Sequence, residues 1–126
     1  MQLQESGEMY LEAILVLSQR GRPVRSIDVS EYLGYTKPSV SRAMSLLRSG
    51  GYVEMGEGNH LMLTDSGLEV AKRIYERHSV LSDFFVALGT DREAAERDAC
   101  RIEHVISDET FDAVKRHAKQ FLPGFS

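Results

Sequence analysis

The chain of 126 residues contains one cysteine, which excludes an internal disulfide framework and makes a reducing cytoplasm its expected setting. No apolar run approaches the length of a membrane span. The opening Met1-Gln2-Leu3-Gln4-Glu5-Ser6 has neither the basic flank nor the apolar stretch of a secretion signal. Internal repeats and low-complexity tracts are missing. So are a nucleophile motif and a phosphate-binding loop, which weighs against an enzyme acting on a small-molecule substrate. The length suits one ordinary domain or two small ones sharing a core.

A surplus of positive charge is also lacking, because the net charge is −4, and this argues against a generic nucleic-acid coat. The distribution says more than the total. Between Arg20 and Arg48 stand six basic residues (Arg20, Arg22, Arg25, Lys37, Arg42, Arg48) against Asp28 and Glu31, a local balance of +4. The remainder of the chain therefore carries −8. A basic DNA-facing segment on an acidic body is one partition that fits. Clustered acids also suit a cation site, or serve only solubility.

What is present is organised around Val24 to Thr64. Thr36 is a helix-capping residue type, and Pro38 falls where a first helical turn tolerates a missing N–H. Val40, Met44 and Leu47 then recur at helical spacing. Upstream, Ile27, Val29, Tyr32 and Leu33 predict a short helix with Ser26 as its N-cap, and Gly34 supplies the turn between the two. Gly50-Gly51 ends the second helix. Tyr52 to Met55 and His60 to Thr64 predict two short strands, joined by a hairpin turn at Gly56-Glu57-Gly58-Asn59. Helix, turn, helix and hairpin in this order read as a winged helix-turn-helix. The polar face of its second helix suits duplex DNA, although the same face on a plain bundle merely meets water. Thr36, Pro38, Ser39 and Arg42 are the candidates for base-edge or thymine-methyl contact. Arg25, Lys37, Ser41 and the hairpin are placed on phosphates.

The flanking segments are helical. An amphipathic helix is expected from near Ser6 through Met9, Leu11, Ile14, Leu15 and Leu17, ended by Arg20-Gly21-Arg22-Pro23. Thr64 resembles an N-cap for a long helix reaching about Leu88 and stopped by Gly89. A further helix starts at Thr90 or Asp91 and runs through Cys100 and Ile102 to Val105. Ser107-Asp108-Glu109 opens the last, with Phe111, Val114, Ala118 and Phe121 on one side and Pro123-Gly124 at its end. The fold class is thus mainly α, with residues 1–65 as the winged domain and 66–126 as a helical domain. Its stripes are expected to bury against each other and against a second copy, giving a twofold dimer.

Cys100, Glu103 and His104 lie three and four apart, so on a helix they share one face. Met9 and Glu12 are likewise one turn apart, as are Glu8 and Glu12, and His78 adds an imidazole. All are metal-ligand types. Spacing alone leaves both a metal site and an ordinary buried cluster open, since a lone Cys or Met at helical spacing is usually core.

At Glu8-Met9-Tyr10-Leu11, Pro38-Ser39-Val40-Ser41, Leu63-Thr64-Asp65-Ser66-Gly67 and Cys100-Arg101-Ile102-Glu103-His104-Val105-Ile106-Ser107-Asp108-Glu109 the chain resembles metal-dependent repressors of the diphtheria toxin repressor and manganese transport regulator type. The resemblance covers nearly the whole chain. It implies a winged DNA-binding part, a helical dimerisation part and a divalent iron or manganese corepressor. It also implies repression of metal-uptake genes at operator DNA. Carried over by residue, it places Met9, Cys100, Glu103 and His104 at the primary site. Met9 and Cys100 follow the iron branch, whereas the manganese branch is acidic at both. Glu12 and His78 match further ligands of the manganese branch; the iron branch has a basic residue at Glu12 and also uses His78. Ser82 stands where both branches tend to have Glu, and Glu96 where the iron branch has a ligand His. The small third β-barrel domain of the longer iron regulators is not expected here.

Carboxylates with imidazoles suit Mn(II) or Fe(II), and a thioether or thiol shifts the balance toward Fe(II). Zn(II), Co(II) and Ni(II) are expected to substitute in vitro, as intrinsic affinity rises across the series. The expected mechanism is a cation that ties the opening helix to the helical domain and fixes the spacing of two recognition helices. The rival reading is a winged-helix regulator sensing oxidation of Cys100 or another ligand, and it lacks a second, resolving cysteine.

Overall fold

The computed structural model describes residues 3–122, in two compact units, Met1–Arg73 and Ile74–Ser126. Six helices and one two-stranded sheet make up the described chain: α1 (Glu5–Ser18), α2 (Ser26–Leu33), α3 (Lys37–Ser49), β1 (Val53–Met55), β2 (Leu61–Leu63), α4 (Asp65–Ala87), α5 (Arg92–Ile102) and α6 (Asp108–Phe121). Among the described residues no helix is long and apolar enough to cross a membrane.

In the first unit, α1 is the central element. Leu11 and Ile14, one turn apart, are completely buried, with Tyr10, Ala13, Leu15 and Leu17 around them. Val29 of α2, Val40, Met44 and Leu47 of α3, and Val53 and Leu61 of the sheet close over that helix in one cluster. Apolar burial on this scale is the main stabilising term, at about 25 cal/mol per Å2 removed from water.

The helix ends follow local chemistry. Arg25 rather than Ser26 is the N-cap of α2; Ser26 is already helical. The cap works in reverse, through the Asp28 carboxylate, which accepts the Arg25 N–H at 2.8 Å. An acid three residues into a helix satisfies a donor that the capping residue itself cannot. Gly34 then takes φ +74°, a left-handed conformation that costs glycine least and turns the chain toward α3. At α3, Thr36 Oγ1 accepts the Ser39 N–H at 3.3 Å, and Pro38 occupies the first turn without losing a helix bond.

The hairpin is shorter than its sequence suggests. β1 and β2 pair antiparallel, Val53 with Leu63 and Met55 with Leu61, and Val24 adds a single bridge to Leu61. Val53 and Leu61 face the core, while Glu54 and Met62 face out. Tyr52, His60 and Thr64 fall outside the strands. Between them Glu57–Asn59 forms a 3-10 turn in which Gly58 and Asn59 both adopt positive φ. Thr64 is freed for another task. Its hydroxyl donates to the Gly51 carbonyl at 2.6 Å and accepts the Gly67 N–H at 3.1 Å, capping α4.

The second unit has a smaller core. Leu81, Ala99 and Phe111 are its fully buried apolar cluster, with Val80, Phe85, Ile102, Ile106 and Val114 packed on it. Asp91 caps α5 through the Glu93 N–H, and Ser107 caps α6 through the Thr110 N–H. α5 stops at Ile102 instead of continuing to Val105; Glu103 is its C-cap, and residues 103–105 form a turn. The expected helix end at Pro123-Gly124 lies outside the described residues.

Gly67 sits hard against the backbone at the base of the hairpin. A Cβ built there would sit 2.0 Å from the Tyr52 carbonyl oxygen. That oxygen is backbone and already accepts the Thr64 N–H at 3.1 Å, so it has little freedom to withdraw. Gly67→Ala is therefore expected to destabilise the chain by about 1–3 kcal/mol or more, as overpacking does. Urea denaturation measures this; a midpoint equal to that of the native chain would show that the base of the hairpin yields freely.

Candidate functional site

Two groups of side chains carry chemistry, one in each unit. In the first, α3 buries Val40, Met44 and Leu47 and turns Lys37, Pro38, Ser41 and Arg42 to solvent; Thr36 is exposed and Ser39 half-buried. The Thr36 and Ser39 hydroxyls are 2.9 Å apart and hydrogen-bonded to each other. Thr36 is thus committed to capping, and its methyl is what remains for a partner. Arg42 is exposed on the same face of α3. Arg25 is exposed beside the hairpin turn: a Cβ on Gly58 would lie 3.8 Å from its Nη2 and 3.5 Å from the His60 ring. The structure thus brings Arg25 together with the hairpin and leaves the other candidates along α3.

Met9 and Glu12 are half-buried on α1. The Met9 sulfur accepts the Tyr35 hydroxyl at 3.2 Å. Glu8 is buried and paired with Arg73 at 3.2 Å, which separates its role from that of Glu12.

In the second unit, Glu103 stands beside His78 and His104. Glu103 is 0% exposed. Its Oε2 lies 3.2 Å from His78 Nδ1 and its Oε1 lies 3.6 Å from His104 Nε2. Neither carboxylate oxygen accepts a hydrogen bond. A buried carboxylate normally has hydrogen bonds, a charged partner or a metal, because desolvation otherwise costs several kcal/mol. Cys100 is half-buried near the end of α5, in the last turn before Glu103. A carboxylate without hydrogen bonds and the imidazoles beside it are ligand types that suit a divalent cation of the Mn(II)-to-Zn(II) series.

The turn that presents Glu103 and His104 is fastened from below by Arg77, which the sequence reading passed over. Arg77 is 5% exposed. Its Nη1 donates to the Glu103 carbonyl at 3.1 Å and to the Ile106 carbonyl at 2.7 Å, and its Nη2 meets the Asp108 carboxylate. The guanidinium stands 5.5 Å over the Phe111 ring. A cation here also complements the C-terminal end of the α5 dipole. The signal was available: Ile74, Arg77, His78 and Leu81 share one helical face, and two of them are core. Ser82, one turn after His78, is buried and its hydroxyl finds no hydrogen-bond partner.

Comparisons with known proteins follow the same division. Residues 2–61 match the N-terminal DNA binding domain of iron dependent repressors, and residues 64–121 match their metal binding and dimerisation domain. An uncharacterized HTH-type transcriptional regulator of Methanocaldococcus jannaschii is 31% identical over 121 residues, 94% of this chain and 97% of that protein. The transcriptional regulator MntR of Escherichia coli is 34% identical over 106 residues, 84% of this chain and 68% of MntR. Among solved structures, a manganese-dependent transcriptional repressor in complex with manganese matches with a TM-score of 0.80 at 27% identity. That match covers 90% of this chain and 51% of the other, so the chain spans about half the length of that repressor.

Arg77→Met keeps the bulk of the side chain and removes its donors. Leaving the two carbonyls without a partner is expected to cost roughly 2–4 kcal/mol, read from chemical denaturation. A loss within experimental error would mean that the 103–106 turn is held by other contacts.

Proposed function

The chain belongs to the iron-dependent repressor family and is a metal-responsive, DNA-binding regulator, and we propose that, loaded with Fe(II) or Mn(II), it binds operator DNA as a homodimer and represses metal-uptake genes in the cytoplasm. The observation that carries this reading is the buried Glu103 carboxylate, which accepts no hydrogen bond and lies against two imidazole nitrogens. In this proposal the metal ligands are Met9, Glu12, His78, Cys100, Glu103 and His104. Bound there, the cation supplies positive charge that neutralises the acids and fixes the directions of their side chains.

Homodimerisation has support in the second unit itself. Its apolar cluster is small, and Leu88 and Val105 are left 67% and 68% exposed. A helical unit of this size gains stability by burying such groups against a second copy.

On the duplex, α3 enters the major groove with Arg42 aimed at a base edge and Pro38 and the Thr36 methyl on thymine methyls. Ser39 offers a hydroxyl. Lys37, Ser41 and Arg25, with the hairpin, contact phosphates. A cation that favours the DNA-competent dimer raises duplex affinity, and duplex raises metal affinity by the same factor.

The deciding experiment is duplex binding to the chain's own upstream region, metal-free and with Mn(II) or Fe(II) under anaerobic conditions. Metal is expected to tighten binding by about 5- to 150-fold, the usual range of allosteric coupling. His104→Ala is expected to remove the metal response while leaving metal-free binding unchanged. Equal affinity with and without metal would end this reading. A separate measurement addresses the DNA face: Arg42→Ala is expected to lose roughly 1–3 kcal/mol on the preferred sequence and much less on unrelated duplex. A uniform loss on both would place Arg42 on phosphate instead.

A further inference from the structure

Tyr35 lies between two groups that the proposed function treats separately. Its hydroxyl donates to the Met9 sulfur at 3.2 Å. Its ring packs edge-on against Tyr10, with centroids 5.9 Å apart. Its backbone is fixed at both ends: the N–H donates to the Ser30 carbonyl at 3.2 Å, and the carbonyl accepts the Ser30 hydroxyl. The next residue, Thr36, caps α3. One side chain thus connects α1 at Met9 to the turn that sets where α3 begins.

We propose that Tyr35 is a positioning residue that reports occupancy of the Met9 thioether to the N-terminus of the recognition helix. The inference rests on Met9 being a ligand, as the proposed function has it. A thioether sulfur is a weak acceptor, and once coordinated it is a weaker one, because the cation draws on the same electron density. The Tyr35 hydroxyl then loses its partner. The Tyr10 ring beside it offers packing. Release of the hydroxyl leaves Tyr35 held by that ring and by Ser30, and α1 and the α2–α3 turn are no longer bound through the sulfur. This route runs inside the first unit. It acts in addition to any change in the spacing of two subunits.

The linkage has a sign. A hydroxyl that is bonded to the sulfur only in the metal-free chain competes with the cation, so removing it strengthens metal binding. The same removal abolishes the difference between metal-free and loaded states that reaches α3. Tyr35→Phe is therefore expected to tighten Mn(II) binding, measured calorimetrically without DNA, by about two- to tenfold, the range of one modest hydrogen bond. It is expected to shrink the metal-induced gain in duplex affinity by a similar factor. In metal-free protein the Ser39 amide, which donates to the Thr36 cap, should exchange faster in the variant. In a Met9→Leu background, Tyr35→Phe should change none of these quantities.

A purely structural role for Tyr35 would weaken metal and DNA binding together, and that result overturns the proposal. So does a Tyr35→Phe effect that persists in the Met9→Leu background, or Mn(II) affinity that is unaltered in the variant. A native chain whose duplex affinity ignores Mn(II) overturns the functional reading and this inference with it. A responsive native chain with an unaltered Tyr35→Phe variant overturns the inference alone.

Discussion

A carboxylate without access to water governs the second unit. Glu103 is fully buried and accepts no hydrogen bond, yet two imidazoles stand at its oxygens. Such a group costs more to bury than the small apolar cluster around Leu81 and Phe111 readily offsets. The surrounding structure is arranged to keep it there. Arg77 holds the turn through two carbonyls, Ser107 caps the helix that leaves it, and α5 ends one residue before the acid. These features are costly if the site does nothing and economical if the acid is neutralised by a cation. The unit's stability and its chemistry are then one problem, because ligand binding is folding free energy.

The first unit follows a different rule. Its core is ordinary apolar packing about α1, and its functional face is made of what that packing leaves over. Val40, Met44 and Leu47 face inward, which obliges Lys37, Ser41 and Arg42 to face outward. Positive charge gathers on that part of the chain although the whole is acidic. A duplex-binding surface needs the local surplus, not the total, since phosphate contacts act within about 10 Å at moderate salt.

Much of the fold was legible because its signals are local. Thr36 before Pro38, Thr64 before Gly67 and Ser107 before Thr110 each announce a helix through one side chain and one amide, and each forms that bond. Ser26 misled because a serine before an apolar run looks like a cap, while the actual device is Asp28 reaching back to the Arg25 amide. The helix expected to reach Val105 stops at Ile102, because Arg77, distant in sequence, draws the following carbonyls out of the helical ladder. No periodicity encodes that contact. The candidate ligands were chosen by residue type, spacing and resemblance, and Glu103 and His104 lie in a turn rather than on the helix expected for them. What spacing did not reveal is which groups hold the candidates: Arg77 under Glu103, and Tyr35 on Met9.

The contact of Gly67 with the Tyr52 carbonyl, together with the Thr64 hydroxyl spanning from Gly51 to α4, gives the hairpin a rigid root. A flexible flap would surrender conformational freedom each time it met a phosphate, and that entropy would subtract from affinity. Here the ordering is completed during folding. In the proposed complex the hairpin arrives at the duplex already aimed, so its contacts are free to contribute their full electrostatic worth, and its position reports the start of α4 as a pointer reports the shaft it is fixed to.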